Sequence, residues 1–210
     1  MTGLFKWAGR NAGARELNAA APDVVAKSKV LPRFLAALAR QPSPVLVDLG
    51  PVVGSNISFF GDRLACKIHV EDVFADVEAH AKRDDRRALA QMLQTRLKEL
   101  PGTVDGILCW DLFDFLDRPS AQFLARSLSG LLGSGGVLHG LFGTTAVDLG
   151  HYTRFVVDSE STLRLRPYPA TPVRRHVLMT RDITKMFEGL AVAESVLLKS
   201  RSREILFRKP

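Results

Sequence analysis

The stretch Val45-Leu-Val-Asp-Leu-Gly-Pro-Val-Val-Gly-Ser-Asn56 constrains the fold more than any other part of the chain. Residues 45–49 are an apolar run broken only by Asp48, the pattern of a strand buried on both faces of a parallel sheet. Gly50 and Gly54 bracket a tight turn. Ser55 and Asn56 offer caps for a following helix that carries Ile57, Phe60 and Leu64. A strand that ends in glycines and opens into a helix gathers free backbone N–H groups at one point, which suits an anion or the polar end of a cofactor. Asp48 narrows the choice, because a buried carboxylate repels phosphate but holds a cation or orients hydroxyls and water.

The rest of the chain alternates in the way such a start requires. Leu31, Phe34, Leu35 and Leu38 fall on one helical face, and the Gln-Pro-Ser-Pro of residues 41–44 ends that helix. Residues 65–70 read as a second strand ending at Glu71-Asp72. Asp84 and Asp85 open a helix with Leu89, Met92, Leu93, Leu97 and Leu100 as its apolar stripe. Residues 104–111 form a strand, and Pro119 starts a helix whose face is Ala121, Leu124, Ala125, Leu128, Leu131 and Leu132. Gly133-Ser-Gly-Gly136 stops it ahead of a strand over 137–142. Residues 143–179 are irregular, with short β-like pieces. Thr180 caps a helix through Ile183, Met186 and Phe187, and Arg201-Ser-Arg turns between two final strand-like runs. These alternations predict an α/β fold: one doubly wound, Rossmann-like, mostly parallel sheet flanked by helices and ending in an antiparallel hairpin. At 210 residues the chain holds one sizeable domain and hardly two. Residues 1–27 read as a loosely ordered arm and 28–210 as the domain.

On these motifs the chain resembles the class I S-adenosylmethionine-dependent methyltransferases. Val-Asp-Leu-Gly-Pro-Val-Val-Gly looks like their first motif: an acidic residue, Asp48, before spaced glycines, Gly50 and Gly54, around the cofactor's methionine part, with Pro51 in the same turn and Val52 where the middle glycine usually sits. In that family an acid at the end of the second strand takes the ribose hydroxyls; Glu71 is the first choice here and Asp72 the alternative. Val-Asp-Gly-Ile-Leu-Cys-Trp-Asp-Leu-Phe-Asp resembles the fourth-strand segment, and Asp111, Leu112 and Phe113 would then line the methyl-transfer crevice. It lacks the Pro-Pro element of enzymes that methylate base amino groups. A third strand that would carry the adenine contact is either short, near residues 73–77, or absent.

The resemblance implies S-adenosylmethionine as cofactor and a small molecule or exposed side chain as acceptor. Asp111, Asp114, His151 and Tyr152 are candidates by position for moving an acceptor proton. No metal ligand set is apparent. Two other readings remain: a methyltransferase-fold binding or scaffold protein without turnover, and a nicotinamide-dependent enzyme, against which the missing Gly-x-Gly-x-x-Gly spacing and the terminal hairpin both count. Cys66 and Cys109 lie in apolar contexts without metal or redox spacing, and no apolar run has the length of a membrane span, so a soluble cytoplasmic protein is expected.

Formal net charge is +7, which raises the question of nucleic acid. Arg83, Arg86 and Arg87 are interleaved with Asp84 and Asp85, and the basic residues form no stripe, so the expected reading is a solvated surface. We therefore expect duplex DNA and structured RNA to bind no better than the non-specific range, with Kd of roughly 10⁻⁴–10⁻⁶ M at physiological salt. Nanomolar, steeply salt-dependent retention in a filter-binding assay would overturn this.

Overall fold

A computed structural model describes residues 23–210 except 75, 78, 80–90, 93, 94, 99–102, 146, 151 and 168–172. The chain runs β1 (Val24–Lys27), α1 (Leu31–Leu38), β2 (Val45–Asp48), α2 (Gly54–Leu64), β3 (Lys67–Val70) and β4 (Val104–Trp110). A 3-10 turn (Leu112–Phe115) leads to α3 (Arg118–Leu131) and β5 (Leu132–Gly143). Then come β6 (Val147–Gly150), β7 (Thr153–Ser159), β8 (Thr162–Pro167), β9 (Val173–Arg175), α4 (Thr180–Met186), β10 (Ala191–Leu197) and β11 (Ser202–Arg208).

One six-stranded sheet carries the fold, in the order β10-β11-β5-β4-β2-β3. The pairs β3–β2, β2–β4 and β4–β5 are parallel, and the turn to antiparallel comes at β5–β11 and β11–β10. Because side chains alternate along a strand, Leu46 and Leu108 face one layer while Val47, Ile107 and Cys109 face the other. The first layer is α1 and α2, through Leu31, Phe34, Leu38 and Phe60. The second is α3 and α4, through Leu124, Leu128, Ile183 and Met186. Gly106 permits the tight fit of α1 on β4, since a Cβ there would lie 2.7 Å from Leu38 Cδ2 and 3.0 Å from Phe34 Cζ.

Several local expectations differ. Val73, Phe74, Asp76 and Val77 are helical rather than strand, as are Gln91, Met92 and residues 95–97, so among the described residues the sheet ends at β3. The start of the helix expected at Asp84-Asp85 lies outside the described residues. Neither Ser55 nor Asn56 caps α2: its N-cap is Val53, and the Asn56 side chain is drawn to β7. Met179, not Thr180, is the N-cap of α4. The irregular segment folds as β6–β9. Val24–Lys27, at the end of the stretch read as an arm, is the edge strand β1, paired antiparallel with β8 in a three-stranded sheet β1-β8-β7. The run Val24-Val-Ala has the β-branched character such a strand needs. Among the described residues no helix is long and apolar enough to cross a membrane. Both cysteines are free, and burial first of all pushes both thiols up, Cys66 to about 11.

A buried acid joins the chain's beginning to its end. Glu204 on β11 is fully buried. It accepts from Lys29 N (2.9 Å), Val30 N (3.3 Å) and the Ser28 hydroxyl, while His139 Nε2 on β5 lies 2.9 Å away. Ser28 Oγ in turn accepts from Leu31 N at 2.8 Å, so serine and glutamate together satisfy the first turn of α1. Burial works to raise the Glu204 pKa, but the bonds from His139, Ser28 and Lys29 outweigh it and hold the carboxyl below its ordinary value. Removing one partner of such a cluster strands the others in a dry interior. Glu204→Ala is expected to cost roughly 3–5 kcal/mol in denaturant unfolding, and Glu204→Gln clearly less. A loss below about 1 kcal/mol would show the cluster to be unimportant.

Candidate active site

The parallel strands deliver their carboxyl ends to one crevice. β2 stops at Asp48, whose carbonyl accepts from Glu71 N at 2.8 Å, and Leu49 N donates to Leu108 O at 3.0 Å. The turn after β2, the acid after β3 and the end of β4 are therefore neighbours, as the first motif requires. Asp48 is buried and its Oδ1 accepts from Gly50 N (2.9 Å) and from the Trp110 indole Nε1 (2.6 Å). Burial raises its pKa to about 6, against the pull of these two donors and helped by the charge of Asp72.

Trp110 is the residue that sequence reasoning missed. It closes β4 in the left-handed region, with φ +51°, and the Cδ1–Nε1 edge of its indole meets the turn. A Cβ on Gly50 would stand 2.6 Å from Trp110 Cδ1, so Gly50 must be glycine to admit the indole. Phe155 of β7 stacks on the indole, 5.1 Å between centroids and 5° from parallel. Asn56, in the first turn of α2, fixes that strand: Nδ2 donates to Phe155 O at 2.9 Å, and Oδ1 accepts from Val157 N at 2.8 Å. The side of the crevice beside Asp48 is thus filled by the chain's own aromatic rings. The signal was present, since a tryptophan directly follows the apolar stretch of β4, but nothing local says which way it turns.

The other sequence-predicted groups divide. Glu71 stands at the strand end beside the turn, its Oε2 2.6 Å from Arg96 Nε, and Asp76 shares the same guanidinium. Glu71 and Arg96 keep 22% and 35% of their side-chain surface, so this pair is reachable from solvent. Pro51 is buried, Gly54 has open space around it, and Val52 is 58% exposed. The group packed against Gly50 and Asp48 is the Trp110 indole. Leu112 and Phe113 face the second core layer, Phe113 against Phe187 and Phe142. Tyr152 is buried between Phe74 and Phe115, with ring centroids at 4.9 and 4.4 Å. His151 lies outside the described residues.

Asp111 and Asp114 do come together, with a cation that sequence reasoning left unassigned. Asp114 accepts Gly143 N with both oxygens (3.0 and 2.9 Å), and Arg175 Nη2 donates to it at 2.5 Å. The same nitrogen is 3.9 Å from Asp111 Oδ2. Asp111 Oδ1 is buried without a hydrogen-bond partner among the described residues. Burial first, then the Asp114 charge, push the Asp111 carboxyl up to about 7, against Arg175 and the Thr153 hydroxyl. Asp114 is also raised by burial, opposed by Arg175 and the Gly143 N–H.

For S-adenosylmethionine the crevice fits at one end only. Glu71 and the open Gly54 suit the ribose side, and the carboxylate can accept both hydroxyls if it exchanges Arg96 for them. Beside Asp48 and Gly50, where the resemblance places the methionine part, the Trp110 indole takes the space.

No family model matches the sequence, and no curated protein matches it. Solved structures do match in fold. Magnesium protoporphyrin IX methyltransferase (ChlM) from Synechocystis PCC 6803 with bound SAH is 16% identical, with TM-score 0.53 over 86% of this chain and 80% of that one. An S-adenosylmethionine-dependent methyltransferase from Clostridium acetobutylicum ATCC 824 is 12% identical, with TM-score 0.51 over 88% and 92%. The pyocyanin biosynthetic protein PhzM is 16% identical at TM-score 0.46, and this chain spans 54% of its length. The first two likenesses establish the fold: it is that of the class I S-adenosylmethionine-dependent methyltransferases.

The raised carboxyls carry a stability consequence. Asp48 and Asp111 have folded pKa values of about 6 and about 7 against an ordinary 3.8. Each holds its proton more tightly folded than unfolded, so its contribution is complete below about pH 4 and is lost as pH rises through 6–7. Asp111→Asn removes one ionisation and should unfold at higher denaturant than wild type at pH 8, by roughly 1 kcal/mol or more, with little gain at pH 4. An equal effect at both pH values would mean the Asp111 carboxyl is not held protonated by the fold.

Proposed function

We propose that the chain is an S-adenosylmethionine-dependent methyltransferase acting on a small molecule or an exposed side chain. We read its sheet as the doubly wound, Rossmann-like type closed by the β10–β11 hairpin, over residues 28–210, with 1–27 as an arm that adds β1. The observation that supports the function best is the meeting of three strand ends. The Glu71 N–H donates to Asp48 O, so an acid for ribose hydroxyls stands beside the Gly50 turn, at the point where strand order reverses between β2 and β4.

Glu71 would hold the ribose, with Asp72 as the alternative acid, and the turn from Gly50 through Pro51 to Gly54 would hold the chain of the cofactor once the Trp110 indole moves aside. When bound, the cofactor supplies a sulfonium-activated methyl group. The protein's part is alignment and exclusion of water. β7 covers the crevice through Asn56, and Asp111, Asp114 and Arg175 form a polar group set behind it. With its pKa near 7, Asp111 is suited to take a proton from an acceptor at neutral pH.

A second reading, a binding protein that keeps the fold without turnover, is favoured by one observation: Trp110 seated on Gly50 under Phe155. Calorimetry with S-adenosylmethionine and S-adenosylhomocysteine separates the two. On the first reading the wild type binds both, and Glu71→Ala weakens binding at least about tenfold, or 1.4 kcal/mol. If the wild type is silent at millimolar ligand while Trp110→Ala binds, the second reading holds. Silence of both variants and wild type would remove the cofactor from the account.

A further inference from the structure

We propose that the cavity behind β7 binds the ammonium end of a small, mainly apolar amine, with Asp111 as its counter-charge. The cavity holds about 190 Å³ between the three-stranded sheet and the ends of β5 and β11. Its polar lining includes Asp111, Thr153 and Arg175 beside Lys27 and three serines; Leu141, Phe155, Leu163 and Leu198 are among its apolar lining.

When both acids of this wall are ionised its charges do not balance, and either a proton on Asp111 or a bound cation restores the balance. Asp111 and Asp114 are both buried, and they share one guanidinium. Asp114 takes most of it: Arg175 Nη2 is 2.5 Å from Asp114 Oδ2 but 3.9 Å from Asp111 Oδ2, and Asp114 has the Gly143 N–H as well. Asp111 keeps an oxygen, Oδ1, that is buried and accepts nothing from the described residues. A buried carboxylate oxygen without a donor is costly, and a positively charged donor is what the cluster lacks. Lys27 also lines the cavity, but its Nζ donates to Thr162 Oγ1 at 2.7 Å in an exposed bond. An ammonium group entering beside Thr153 supplies both the missing charge and the missing donor.

Size and lining set the rest of the ligand. An apolar cavity of roughly 150 Å³ holds a benzene ring. This one has room for a ring or branched aliphatic body with a short arm, with its leucines and Phe155 set against that body. Phe155 borders both this cavity and the Trp110 indole, since the same ring lines the one and stacks on the other. The site shares Asp111 with the acceptor end of the methyl-transfer reading and deepens it, and a test run without cofactor tells the two apart.

The test uses the full chain, without cofactor, and three probes of one shape: benzylamine, benzyl alcohol and toluene. Binding is followed by methyl-group NMR of Leu141, Leu163 and Thr153. The expected result is that benzylamine binds at least about tenfold more tightly than the other two, with shifts at those three residues. Asp111→Asn should lose that preference and still bind benzyl alcohol as the wild type does, which shows the cavity intact. Equal affinities for the three probes, or shifts confined to other parts of the molecule, would overturn the proposal. So would an asparagine variant that still prefers the amine. If that variant fails to fold, the comparison of the three probes on the wild type decides alone.

Discussion

One buried hydrogen bond, from the Trp110 indole to Asp48, holds the functional end of the sheet together. It draws Trp110 into the left-handed backbone region, a conformation that costs an L-residue about 1–3 kcal/mol. A buried bond to a charged acceptor returns about 1.5–3 kcal/mol, so the two nearly cancel. What tips the sum is what the indole then provides: an edge packed on Gly50 and a stacking partner for Phe155, worth roughly 0.5–1.5 kcal/mol beyond the area it covers. β7 docks on that ring and on Asn56, and with β7 come β8 and β1. The small sheet is thus assembled on the end of the large one through Trp110 and Asn56, with the Glu204 clasp on Ser28 as a further tie.

Three buried acids show how partners decide what burial does. Glu204 is enclosed completely, yet its pKa is lowered, because two backbone N–H groups, a hydroxyl and an imidazole meet its oxygens. Asp48 has two donors on one oxygen and is raised to about 6. Asp111 has the poorest company and reaches about 7. Desolvation is common to all three; the number and aim of donors orders them. The well-served acid ties elements together. The ill-served one is left with unspent acceptor capacity, which is the usual mark of a group that meets something from outside.

The parts of this fold legible in the sequence were those with short-range causes. Residues 45–49, 66–70 and 104–111 announced strands because apolar runs bounded by Gly, Pro or acids have few alternatives. Glu71 was placed by its position one residue past such a run. The clasp of Glu204 on Ser28 was out of reach, since its partners are 176 positions apart and neither residue is unusual alone. The same holds for Arg175 beside Asp114, at 61 positions. Asn56 looked like a cap because local hydrogen bonding is the common fate of such a residue, but a strand a hundred positions later offered it two backbone partners. Val52 drew attention for its bulk, while the crevice was filled by a side chain from another strand.

The indole geometry also gives the molecule an optical handle on its own interior. The chain has two tryptophans, and Trp7 is outside the described region. With Trp7 changed to phenylalanine, emission comes from Trp110 alone, a ring shut off from water, stacked on a phenylalanine and bonded to a carboxylate. Its spectrum then reports the packing and ionisation at the end of β2 directly. Any molecule that lifts Phe155 or displaces the ring changes the colour of the light.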